Sequence, residues 1–137
     1  MIQYSTAAKN AMLQAVADAL DAADPEPGRL RLYTADQPAT AGAAITDQTL
    51  LADIPLDLPC GTAANGVLTI TTPVEDGNLP ASGTVAWGRL VDGNDNWIAD
   101  LDAEKEAAGA TAAIQLAVIV VYQGGIIRLT AFSLDLE

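Results

Sequence analysis

The sequence predicts a mainly β protein: an antiparallel β-sandwich or jelly-roll-like domain with one N-terminal α-helix. Three observations carry this. Apolar and polar residues alternate with period two almost everywhere after Leu30. Only the segment from Ser5 to Ala22 repeats its apolar side chains at helical spacing. The intervening stretches are short and rich in turn residues, which favours hairpins over parallel crossovers. The chain has 137 residues, near the commonest size for one domain, and shows no linker or internal repeat. Residues 1–137 therefore read as a single domain, with 1–24 a helix or arm and 29–137 the sandwich.

Taken in order, Ser5 can cap the helix. Ala8, Met12, Val16 and Ala19, joined by Leu13 and Leu20, make its apolar stripe, and Asp24-Pro25-Glu26-Pro27-Gly28 stops it. Such a helix can pack across a sheet or reach a neighbour. Arg29 to Thr34 alternates as a strand, with Leu30 and Leu32 on one face and Arg29, Arg31 and Tyr33 on the other. Leu50 to Leu58 follows, with Leu50, Ala52, Ile54, Leu56 and Leu58 on one side. Pro55 lacks a ladder donor and marks it as an edge or bulged strand. Cys60 to Asn65 reads as a turn, Gly66 to Thr72 as a short strand, and Pro73 to Ser82 as a loop.

Gly83 to Leu101 reads as a hairpin closed by Asp92-Gly93-Asn94-Asp95-Asn96, and it carries both tryptophans, Trp87 and Trp97. Asp102 to Gly109 is a charged connection. Thr111 to Tyr122 is the strongest strand and apolar on both sides, so both sides should be covered. Gly124-Gly125 turns the chain into Ile126 to Leu136. There the dense apolar face switches, and a bulge or change of sheet near Thr130 accounts for it. The expected core holds Leu32, Ile54, Leu56, Leu68, Val85, Trp87, Val118, Val120 and Phe132.

The chain has 18 acidic residues against 6 basic ones and no histidine, a net charge of -12. That charge repels phosphate backbones and anionic lipid surfaces, so neither nucleic acid nor membrane is an expected partner. The longest apolar run, Ala112 to Tyr122, is too short to cross a bilayer, and the N-terminal residues lack the apolar segment of a signal peptide. Cys60 is alone and reads as a small buried thiol at a strand end.

Catalytic chemistry finds little purchase. There is no histidine base, no serine in a nucleophile elbow and no glycine-rich phosphate loop, so the chain does not read as an enzyme and no cofactor is expected. Asp92, Asn94 and Asn96 have the spacing of oxygen ligands, and with Trp97 they form a weak cation or ligand loop. The other reading is a polar hairpin turn: Trp97 stands where a calcium loop needs glycine, and Ala103 where it needs a bidentate Glu. Tyr33, Trp87, Trp97 and Tyr122 can make an exposed platform or, alternatively, core and cross-strand pairs. Arg29, Arg31, Arg89 and Arg128 lie on strands and should pair with carboxylates of neighbouring strands or of a neighbouring subunit.

The order of segments resembles a group of small virion proteins encoded among the structural genes of tailed bacteriophages. The residues that carry the resemblance are Tyr4-Ser5, Gly28 to Thr34, Gln37-Pro38, Leu50-Leu51-Ala52, Gly66 to Thr69, Gly83 to Asp92, and Phe132 with Leu134. The chain departs from the pattern at the acidic Asp102 to Glu106 and in the unusually aliphatic Ile114 to Val121. The resemblance implies a non-enzymatic β-sandwich that assembles on the particle. The leading expectation is a capsid decoration or cement protein on the outer surface of the capsid, made in the host cytoplasm. A tail or head–tail component and a carbohydrate- or receptor-binding module are the alternatives. The expected partners are further copies of the chain and the major capsid protein or another virion protein. Met12, Val16, Arg29, Arg31, Ile114, Ile119 and Val121 are the candidate interface residues.

Overall fold

Ser5 begins the helix as expected. Its backbone is extended and its hydroxyl accepts the Ala8 N–H at 3.1 Å, capping α1 (Thr6–Leu20). The computed structural model describes residues 1–71 and 75–136. The Thr72 end of the expected strand and the Pro73 start of the loop after it lie outside the described residues. The buried face of α1 is Leu13, Ala17 and Leu20, with Val16 half-buried. Met12 lies off that face and is exposed, because the packed stripe steps from Leu13 rather than from Ala8. The helix packs across the sheet of its own chain.

Among the described residues eleven strands follow: β1 (Arg29–Tyr33), β2 (Leu50–Pro55), β3 (Gly61–Ala64), β4 (Val67–Ile70), β5 (Glu75–Asp76), β6 (Gly83–Thr84), β7 (Trp87–Val91), β8 (Trp97–Lys105), β9 (Ile114–Leu116), β10 (Val120–Val121) and β11 (Ile127–Asp135). Eight of them run in the order β2-β1-β7-β8-β9-β11-β4-β3, a curled sheet with α1 across it. β5 joins off this path against β11, and β6 and β10 form a separate pair. The domain is thus mainly β with one N-terminal helix. One pair departs from antiparallel: β8 and β9 run parallel, Ala103 opposite Ile114.

β2 is an edge strand, as Pro55 predicts. A bulge opposite Leu32 and Tyr33 inserts Leu51, so Leu51 and Ala52 are both buried, while Leu58 turns outward. β7 is buried along its whole length between β1 and β8. A second bulge, at Thr130, shifts the register of β11 on β9, so Ile127 and Leu129 point inward before it and Phe132 after it. The apolar pattern required this phase change.

Other expectations are corrected. The stretch read as a turn from Cys60 to Asn65 contains β3. Asn65 and Gly66 both take left-handed backbone, φ 55° and 78°, and fold Gly61–Ala64 back onto β4. β5 stands inside the stretch read as the Pro73 to Ser82 loop. Gly83 and Thr84 leave the main hairpin to pair with β10. The connection from Asp102 begins as strand: β8 runs to Lys105 because Asp102 and Glu104 accept the N–H groups of Ala113, Thr111 and Ala112. The strand expected from Thr111 to Tyr122 is broken into β9 and β10. Ala117 donates to Arg128 on β11, whereas Ile119 accepts from Val85, so the two halves serve different sheets. Val118 and Val120, expected in the core, are 55% and 49% exposed. Leu32, Ile54, Leu56, Leu68, Val85, Trp87 and Phe132 are buried as expected.

Candidate functional site

The outer face of β2, β1, β7 and β8 carries a row of charges set by strand register. Asp53 lies opposite Arg31, Arg31 opposite Arg89, and Arg89 opposite Asp100. Two arginines side by side repel, and each is offset by the carboxylate beyond it. Arg31 reaches Asp53 at 3.6 Å and Asp95 at 2.5 Å, Arg29 reaches Asp53 at 2.6 Å, and Arg89 reaches Asp100 at 2.7 Å. The expected pairing of these three arginines across strands is thus made within the chain. The Arg89 guanidinium sits 5.3 Å from the Trp87 ring centre, and Trp87 stacks on Tyr33 at 4.8 Å.

Asp100 organises the cover of this face. It accepts Nε and Nη2 of Arg89, the Gly42 N–H and the Trp97 indole N–H. Burial alone would raise its pKa; these donors outweigh it and hold the carboxyl below the usual range. The Trp97 ring lies against Gly42, whose φ is 75°, and a Cβ there would come within 2.8 Å of the ring. The segment before β2 is thereby strapped over Arg89 and Asp100. These groups are occupied with one another.

The Asp92 turn is equally self-contained. Asp92 Oδ1 accepts the N–H groups of Asn94 and Asn96, at 2.8 and 2.9 Å, and Oδ2 accepts the Asn96 amide at 3.0 Å. The Asn96 side chain first, then its backbone, holds the Asp92 carboxyl below the usual range. The geometry is that of a capped polar turn. Asp92 and Asn96 meet, but through the oxygens a cation would need. Among the described residues no group of three His, Cys, Asp or Glu is placed to hold a metal ion. The four aromatics of the expected platform divide. Tyr33 and Trp87 are buried as a cross-strand pair, whereas Trp97 and Tyr122 are 44% and 70% exposed. Cys60 is buried beside Asp21, and burial with that neighbouring charge pushes its thiol up to about 12.

What the fold leaves open is the apolar stretch from Val118 to Ile126, which runs through β10 and a turn into β11; β10 pairs with β6 and not with β11, so the hairpin expected at Gly124-Gly125 is a turn between two sheets. β10 pairs with β6 and points Val121 inward, with Ile119 half-buried. Val118, Val120, Tyr122 and Ile126 are exposed. The tip is held firmly: Gly124 donates to Leu79, Leu79 to Gly125, Gly125 to Tyr122, and Gln123 to the Ser82 hydroxyl.

Of the candidate interface residues, Ile114 and Val121 are buried within the chain. Met12 and Val16 lie on α1, and Arg29 and Arg31 are engaged by Asp53 and Asp95. Val118, Val120 and Tyr122, which are exposed, alternate with Ile119 and Val121 but share the phase of buried Ile114, because the run is broken between β9 and β10. No family model, curated protein or solved structure matches the chain. No helix among the described residues is long and apolar enough to cross a membrane.

Proposed function

We propose that this chain is a non-enzymatic structural protein of a tailed-phage virion, a capsid decoration or cement subunit on the outer shell. In this reading its curled sheet is a variant of the β-sandwich or jelly-roll-like class. The observation that carries the proposal is the exposed stretch of Val118, Val120, Tyr122 and Ile126, whose turn is held by backbone bonds between Leu79 and Gly124-Gly125. A rigid apolar face on a chain of net charge -12 is suited to burial against another protein. The resemblance in segment order supports a virion as the setting. The acidic surface suits the outside of a shell, away from packaged DNA. Many copies, each burying a modest area, hold a lattice together because later contacts form at high effective concentration.

Cryo-electron microscopy of the intact particle tests the location. Copies distributed over the whole shell support decoration; a single ring at one vertex, or copies along the tail, make it a head–tail or tail component instead. Purified protein added to undecorated shells tests the role. Binding should raise the temperature at which the shells rupture, and no binding removes the cement function.

A further inference from the structure

We propose that residues 35–48 form a lid over the charged face, hinged at a neck between Thr34 and Thr49 and latched by Gly42 to Asp100 and Trp97, and that the lid opens as a unit while the sheet beneath stays folded. β1 and β2 are antiparallel neighbours, which a turn of about two to five residues can join. The chain instead runs through residues 34–49 between Tyr33 and Leu50. A surface loop of this length whose ends meet is an Ω-loop.

The ends are tied. The Thr34 N–H donates to the Thr49 carbonyl at 3.1 Å, and the Thr49 N–H donates to the Thr34 hydroxyl at 2.9 Å. The Trp87 indole N–H donates to the Thr34 carbonyl at 3.3 Å and anchors the neck to β7. Just beyond the neck, Ala35 has φ 62°, a left-handed conformation that is unfavourable for a residue with a Cβ. Leaving that conformation relieves its strain, so the swing belongs at Ala35.

Between the ends nothing is fully buried: each residue from 35 to 49 is exposed or half-buried. The loop also bonds to itself. The Gln48 amide donates to the Asp36 carbonyl, the Ala43 N–H to the Thr40 carbonyl, and the Thr46 N–H to the Gln48 side-chain oxygen. Among the described residues, the hydrogen bond that crosses from the loop to the sheet beyond the neck is Gly42 N–H to Asp100 Oδ2, at 3.1 Å. A segment with its own internal bonds and few buried contacts opens at lower free energy than core strands.

The two halves of the latch are unequal. The sheet half is complete without the lid: Arg89 Nε and Nη2 hold Asp100 at 2.7 and 3.0 Å, and the Trp97 indole N–H reaches it at 3.1 Å. The lid supplies a backbone N–H and a residue without a Cβ, which lets Gly42 lie against the Trp97 ring. Opening therefore breaks the Gly42 bond and the ring contact and leaves Arg89 paired with Asp100. What changes is access, because the closed lid leaves these two side chains only 9% and 6% exposed. The half-open setting of Trp97 is that of a clamp on the lid. None of this depends on the chain assembling.

Native-state hydrogen exchange on the full chain, resolved by residue, tests the lid. The bonded amides at positions 42 and 43 should exchange at least tenfold faster than the ladder amides of β1 and β7. Exchange at the same rate as those strands would mean that the loop opens only when the whole fold does, and the lid is wrong. Trp97→Ala removes the clamp, and Gly42→Ala drives a Cβ into the ring. Each should speed exchange at positions 42 and 43 by a further tenfold or more and leave β1 and β7 protected as in the parent. If both variants keep the parent's rates at these positions, or lose protection in β1 and β7 to the same extent, Gly42 and Trp97 are not a latch. The comparison within the parent needs no substitution, so it decides the matter even where a variant fails to fold.

Discussion

Trp87 packs against Tyr33 and the Arg89 guanidinium and is nearly fully buried. Replacing it with alanine removes both contacts and leaves a cavity, so Trp87→Ala should cost about 3–5 kcal/mol, read from the denaturant midpoint. An unchanged midpoint would mean the ring contributes no packing. Asp100 gives a pH signature. Its folded pKa is depressed, so its contribution is fully present above the unfolded value of about 3.9 and is lost as pH falls through the folded value. Asp92 acts in the same direction. The urea midpoint should stay level in this respect near neutral pH and fall on acidification below about pH 4. Asp100→Asn should be less stable at neutral pH, because it leaves Arg89 buried without a countercharge, and its acid limb should be shallower. An acid limb as steep as the parent's would show that other carboxylates carry it. The arginines' positions on strands pointed to ion pairs with neighbouring strands or with a neighbouring subunit. Their partners depended on register, which no local pattern states.

At the scale of elements, the most local signals were the most readable. The cap, the helical spacing and the proline stop all lie within one segment, and α1 forms where they place it. Ser5→Ala should lower stability by about 1 kcal/mol, measured by thermal or urea unfolding. No loss would mean that the Ala8 N–H finds an equivalent partner in water. The β3–β4 hairpin was harder to see because Gly61–Ala64 has small side chains with weak strand preference. Its Asn65-Gly66 turn carried the signal. Gly66 has φ 78°, so a β-branched replacement is strained by roughly 1–2 kcal/mol, and Gly66→Val should melt lower by that much. The phase switch at Thr130 was visible because a one-residue insertion reverses which side chains point inward.

For the whole molecule, net charge opposes the approach of one copy to another. At -12 the chain repels itself, and added salt shortens the reach of that repulsion to about 10 Å at 0.1 M. Raising the salt concentration should raise the melting temperature and tighten self-association. Association that weakens with salt would instead assign the contact to ion pairs. The expected two-sided cover of Thr111 to Tyr122 met a different outcome. The chain buries Ile114, Leu116 and Val121 and leaves Val118, Val120 and Tyr122 open, so a stretch that reads as one core strand supplies both core and surface.

The sequence by itself determined the mainly β class, the capped helix, the edge position of β2, the buried setting of Cys60 and the bulge in β11. Each follows from chemistry within a few residues: a missing donor, a cap, a periodicity or a change in its phase. Only the tertiary structure decided that β8 and β9 run parallel, that the aliphatic run divides between two sheets, and that the Asp92 oxygens close their own turn. It also placed half of the aliphatic run on the surface. A strand apolar on both faces contains no information about which face meets the core. That choice belongs to the backbone donors and acceptors of distant segments, Arg128 for Ala117 and Val85 for Ile119, which meet only when the sheet has formed.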